Sequence, residues 1–374
     1  MPPNYVPPAP DAVSVTAAPA SDDGKLIGIE LLRFASAVAV LVFHFQHFAF
    51  VGAAQPHFAA AEQPFYPALR LFYTYGFYGV QVFWCISGFI FFWKYANVVA
   101  QRRLGGYKFF ILRFSRLYPL HLATLLFVAA MQGVYFASHG AYFVYQTNDF
   151  LHFVLQLFMA SNWAGQNPES FNGPIWSISI EVLVYCVFFL GLRYLSASAA
   201  VVGGIAAVSA LILFLKISVH PVFSCIMYFY LGCMTAIVYA RVKDAPRLKA
   251  AVNLAALAAI AAVIGLQFFI AIKPIYFLLV LSPALIFLCV NHMPATKITS
   301  GILVAAGNMT YSSYLLHVPI QLTAATLATY MHWQIPVYNR AFFLSFLAGT
   351  LLLSYYCFKF FEMPAQTYLR RRFK

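Results

Sequence analysis

The chain has 374 residues, 63% of them hydrophobic and 9% charged, with a mean hydropathy of +0.78. A soluble domain carries about 25% charged residues, so this composition excludes a soluble enzyme and describes a chain dissolved in lipid. The net charge of +13 then falls to the loops, where its simplest partner is a lipid surface and not nucleic acid.

Residues 1–24 are rich in Pro, Ala and Ser with no apolar period and read as a disordered cytoplasmic leader; a signal peptide would need a charged start and a cleavage site. Apolar runs long enough to cross a hydrocarbon core of ~30 Å then recur. There are ten, at 27–50, 77–96, 117–138, 175–195, 199–217, 222–240, 251–272, 275–293, 303–330 and 339–361. The fold class expected is therefore all-α, a polytopic bundle of about ten transmembrane helices forming one membrane domain over 25–363, followed by a short basic tail at 364–374. The stretch 149–163 is apolar but short and reads as an interfacial piece of a long loop. With the N-terminus inside, 18 Lys and Arg lie on the inner side, 4 on the outer side, and Arg33 within the first span. That bias places both termini in the cytoplasm. The six cysteines all lie in apolar runs and show no zinc or disulfide spacing, so no metal is expected.

Ionisable groups inside spans are costly and mark function by default. In the first span, Arg33 and His44 are eleven positions apart, three helical turns plus about 20°, so they share a face at a separation of about 16 Å. Glu181, on the fourth span, enters from the outside in the segment Phe171-Asn-Gly-Pro-Ile-Trp-Ser-Ile-Ser-Ile-Glu181 and reaches the depth of His44. A carboxylate at that depth is expected to pair with the imidazole, setting its tautomer and raising its basicity. His317, on the ninth span, lies in the same outer half and suits a proton carrier, a substrate contact or a packing group. On the second span, Ser87-Gly88 sits near mid-membrane; the pair permits close helix approach, and the hydroxyl suits a channel wall. Asn172 and Trp176 join Ser87 and His317 as candidate substrate or oxyanion contacts. Arg113 and Arg116, three apart at the start of the third span, face one way. They suit either an anchor on acidic lipid or, with Arg33, a phosphate clamp, because guanidinium forks match phosphate oxygens.

These residues resemble the membrane acyltransferase-3 family, which transfers acyl groups, usually acetyl, to carbohydrates of the cell envelope. The resemblance runs from Gly28 to Arg372. It rests on the ten-residue spacing between Arg33 and His44, the Gly79 to Phe89 segment, Arg113-Phe-Ser-Arg116, Trp176 to Glu181, Ser313 to Pro319 and Phe361-Glu-Met-Pro364. Gln81 stands where the family commonly has an acidic residue. No appended SGNH-type hydrolase domain is expected after the last span. The family implies acetyl-CoA as acyl donor, Arg33, Arg113 and Arg116 as contacts to its phosphates, and His44 as catalytic base. The expectation is an O-acetyltransferase in which His44, oriented by Glu181, deprotonates a hydroxyl of an exopolysaccharide or lipopolysaccharide O-antigen, and that hydroxyl attacks the acetyl carbonyl; an acyl-histidine relay is the variant. The partners are thus a glycan or glycolipid acceptor and membrane lipid, with no nucleic acid. Two alternatives stand beside it: a succinyl or other short-chain acyltransferase, and a proton-coupled transporter or flippase that uses His44, Glu181 and His317 as a relay.

Overall fold

The computed structural model describes residues 26–164, 169–292 and 297–373, so the expected leader at 1–24 lies outside the described residues. Apolar runs with few backbone breakers have to satisfy their own hydrogen bonds in lipid, and they do so as helices. In chain order these are α1 (Ile27–His44), α2 (Tyr66–Tyr75), α3 (Gly79–Ala100), α4 (Gly106–His139), α5 (Phe150–Leu157), α6 (Ile175–Tyr194) and α7 (Ala199–Phe214). They continue with α8 (Pro221–Val242), α9 (Pro246–Gln267), α10 (Pro274–His292), α11 (Lys297–Asn308), α12 (Thr310–Tyr330), α13 (Arg340–Cys357) and α14 (Met363–Arg372). Among the described residues there is no strand, only an isolated bridge between Val51 and Ala54.

Among the described residues, eight helical segments are long and apolar enough to cross a membrane. Two of the ten expected spans differ. The fifth is the 16-residue α7, about 24 Å at 1.5 Å per residue. The ninth is divided at Met309 into α11 and the 21-residue α12, and at the junction Thr310 Oγ1 donates to the Gly307 carbonyl at 2.8 Å. Helices also outrun their hydrophobic runs. The basic residues Lys108, Arg113 and Arg116 stand on the first turns of α4 and not in a loop, since charge interrupts an apolar run without interrupting a helix. At the other end of the chain, α13 passes through a π-helical turn, Phe358–Glu362, into α14, so most of the expected tail is helical.

The tightest packing joins α3 to α8. Gly88 faces the Phe229 carbonyl and Gly232 faces the Cys85 carbonyl, each so close that a Cβ would collide. In lipid, where apolar burial contributes little between helices, such small-residue contact is what holds a pair together. Gly88→Ala is expected to cost about 1–3 kcal/mol through overpacking, read as a lower unfolding midpoint in detergent. An unchanged midpoint would show that α3 and α8 can slide apart at no cost. Next to this contact, Phe91 of α3 stacks on Tyr185 of α6 with centroids 4.2 Å apart, which fixes α6 beside it. Meanwhile α1 runs through the middle, touching α2, α3, α10, α11 and α12.

The short stretch expected at the interface becomes α5. Asp149 caps it by accepting from the His152 backbone N–H at 2.9 Å, and that bond, with the His152 ring, holds the Asp149 carboxyl below its usual range. Phe150, Leu151 and Phe158 remain exposed, as suits a helix lying on the lipid boundary.

Candidate active site

A polar cavity of about 510 Å³ opens between α1, α3, α4, α6, α12 and α14. Its walls bring together Arg33, Arg113, Arg116, Ser87 and Glu181, five of the candidates named from sequence. A second cavity of similar volume, about 520 Å³, is walled almost wholly by apolar side chains of α4, α12 and α13 and is lined by no Asp, Glu, Lys, Arg or His.

The guanidinium groups are held in different ways. Arg33 Nη1 lies 2.8 Å from Glu30 Oε2, and its Nη2 donates to Thr310 Oγ1 at 3.0 Å. Arg116 lies 3.5 Å from Glu362, whose other oxygen accepts from Ser312 at 2.7 Å. Among the described residues Arg113 has no carboxylate within 4.0 Å; it donates to the Tyr95 hydroxyl at 2.6 Å and lies 4.7 Å over the Phe91 ring and 5.0 Å over Tyr95. The helical spacing of three puts Arg113 and Arg116 on the same cavity, as their sequence suggested.

Deeper in the same cavity, Ser87 Oγ donates to Glu181 Oε1 at 2.5 Å, with the Tyr185 hydroxyl beside that carboxylate. The expected pairing of Glu181 with His44 is therefore not made. Equal depth on two helices does not make neighbours: the α3 to α6 packing turns Glu181 toward Ser87 on α3. The Ser87 hydroxyl has a single proton, and Glu181 takes it, which leaves an oxyanion only the donors around it.

His44 is oriented by its own helix. Its Nδ1 lies 3.0 Å from the Val40 carbonyl. A carbonyl only accepts, so Nδ1 carries the proton and Nε2 of the neutral ring keeps its lone pair. The orienting task assigned to Glu181 thus falls to backbone one turn earlier. Around His44 stand two more buried imidazoles, His47 with centroids 4.8 Å away and His317 at 4.9 Å. His317 Nδ1 similarly meets the Ser313 carbonyl at 3.3 Å, and Gln321 donates to the His44 carbonyl at 2.7 Å. This cluster borders the cavity through Tyr314, which lines it, hydrogen-bonds Ser177 at 2.8 Å, and lies 6.1 Å from the His317 ring.

Asn172 and Trp176 are not among the residues that line this cavity. Asn172 is fully buried and donates to Thr124 Oγ1 and the Leu315 carbonyl, both at 3.1 Å, tying the start of α6 to α4 and α12. Trp176 stacks on Phe77 and meets Trp84 edge-on. Sequence reasoning missed Tyr185 and His47, although each follows a named residue by one turn. It also missed Lys94, Gln366 and Arg370, whose approach to the cavity has no local signal at all. Among the described residues no group of three or more His, Cys, Asp or Glu could hold a metal ion.

The fold and site define a multi-pass helical membrane protein with a polar cavity that is cationic at one end and carries serine, tyrosine and a carboxylate farther in. The chain belongs to the acyltransferase-3 family, whose model, an acyltransferase domain, matches residues 26–359. It is similar to acyltransferase MdmB of Streptomyces mycarofaciens, 30% identical over 171 residues, 45% of this chain and 40% of that relative. The match therefore spans less than half of the relative's length. No solved structure matches.

Proposed function

We propose that the protein transfers an acyl group, acetyl first among them, from a CoA thioester to a hydroxyl of a glycan on the far side of a bacterial cytoplasmic membrane. The observation that carries this reading is the single cavity that joins Arg33, Arg113 and Arg116 to Glu181 and Ser87. CoA has a charged nucleotide end and a long thin arm. Guanidinium forks at the basic end suit its phosphates, and the arm runs inward toward the depth of His44, about 16 Å from Arg33 along α1.

In this mechanism His44 Nε2 takes the proton of the acceptor hydroxyl as its oxygen attacks the thioester carbonyl, and the tetrahedral intermediate expels the CoA thiolate. The Val40 carbonyl holds the ring in the basic tautomer. Buried His47 and His317 pack against the imidazole and hold it in place. Glu181 acts in the donor channel through its hold on Ser87 and not through His44. Glu181→Gln is expected to lower the rate at least tenfold, within the range of one catalytic polar contact, with donor affinity changed less than about twofold. Initial rates at saturating acceptor check this, and a loss confined to donor affinity would make Glu181 a binding group only.

The reading as a whole is tested by incubating purified protein with labelled acetyl-CoA and membrane glycan. Label in the glycan is the expected result. Label that stays on CoA while a glycolipid changes sides would instead establish a flippase.

A further inference from the structure

The basic end of the cavity is walled by five cations, Arg33, Lys94, Arg113, Arg116 and Arg370. Two of them are already neutralised. Arg33 is paired with Glu30 and Arg116 with Glu362. Among the described residues, Lys94 of α3, Arg113 of α4 and Arg370 of α14 have no carboxylate within 4.0 Å. Partly buried Arg113 and Arg370 and the more exposed Lys94 repel one another around one opening, and the arrangement calls for an anion between them.

The least expected of the three is Arg370, because it comes from the end of the chain. Glu362 is buried at the π-helical turn and held by Arg116 and Ser312, which fixes where α14 begins. From there Gln366 and Arg370, four apart, fall on the face turned to the cavity, while Arg371 and Arg372 are exposed. Arg370 is aimed by two bonds to α4: Nε donates to Ser115 Oγ at 3.2 Å and Nη2 to the Leu112 carbonyl at 3.5 Å. Two donors at this opening are buried without a partner, Gln366 Nε2 and Arg113 Nε. Unpaired buried donors beside uncompensated cations describe a phosphate site.

We infer that α14 is a wall of the donor site, and that Arg370, with Lys94, Arg113 and Gln366, binds the phosphates of the donor's nucleotide end. Arg33 and Arg116, already paired, shape the opening and contribute less. This rests on the proposal that the donor is a CoA thioester.

The test uses the full-length protein in detergent and measures binding of acetyl-CoA and, separately, of adenosine 3′,5′-bisphosphate. Arg370→Gln is expected to weaken both about tenfold or more, the size of one lost charge-assisted hydrogen bond, because the contact is with the nucleotide and not with the acyl arm. Arg370→Lys should recover part of the loss. Arg371→Gln removes the same charge from the exposed face of the same helix and should leave both affinities within twofold. Unchanged binding by Arg370→Gln overturns the inference, as does an equal loss in Arg371→Gln, which would reveal general surface charge. A loss for acetyl-CoA but not for the bisphosphate also overturns it. Failure of the donor proposal itself would show differently, as wild-type protein that binds neither compound.

Discussion

His44→Ala is expected to lower acyl transfer by about 10²–10⁴-fold, the usual contribution of a positioned general base, while the protein remains folded and membrane-inserted. The expectation rests on geometry. With Nδ1 committed to the Val40 carbonyl, Nε2 is the one ring atom free to accept a proton, and the ring is held by a bond that substrate does not compete for. A structural role predicts something else. His44 packs against Phe43, His47 and His317, so its removal leaves a gap among aromatic rings and costs stability whatever the chemistry. Size-exclusion profile and unfolding midpoint therefore accompany the rate. Turnover retained in a folded His44→Ala protein would remove the base from this position. Comparing His317→Ala and His47→Ala separates the three imidazoles: only the base should show the full loss.

Arg113→Ala is expected to weaken acetyl-CoA about 10- to 100-fold, one or two charge-assisted hydrogen bonds. Arg113 is the cleanest of the three guanidinium groups first singled out because it neutralises no carboxylate; its partners are the Tyr95 hydroxyl and two ring faces. Its removal breaks no ion pair among the described residues. Arg116→Ala, by contrast, strands Glu362, whose side chain is 2% exposed, so it should lower stability together with affinity. Calorimetric titration of both variants distinguishes the effects. Donor affinity unchanged in Arg113→Ala would return this arginine to a lipid-anchoring role.

Much of the site was legible because α-helical periodicity is a local property. Arg113 and Arg116 meet one cavity because three residues are nearly one turn, and Arg33 reaches it from the same end. Counting residues along each apolar run likewise placed Glu181, Ser87 and His44 well inside their helices or at a helix end, where the structure has them. Azimuth was not legible. Depth alone suggested that Glu181 and His44 are partners, whereas the rotation of α6, set by Phe91 stacking on Tyr185 and by the α3 contact, gives Glu181 to Ser87. Similarly, the bond that orients His44 comes from a backbone carbonyl, an acceptor that every residue carries and no motif announces.

The division follows from the reach of each interaction. By itself the sequence determined an all-helical membrane bundle, the approximate positions of most of its apolar helices, the membrane acyltransferase family, and the residue types available for chemistry. Lipid imposes these by requiring every span to satisfy its own backbone. Only the tertiary structure decided which polar groups face one another. It broke the ninth span at Met309, clustered three histidines from α1, its 3₁₀ extension and α12, and returned α14 to the cavity with Gln366 and Arg370. Those outcomes depend on helix rotation, on the close approach at Gly88 and Gly232, and on the buried Arg116 to Glu362 pair. Each joins residues far apart in the chain, where no periodicity can carry the information.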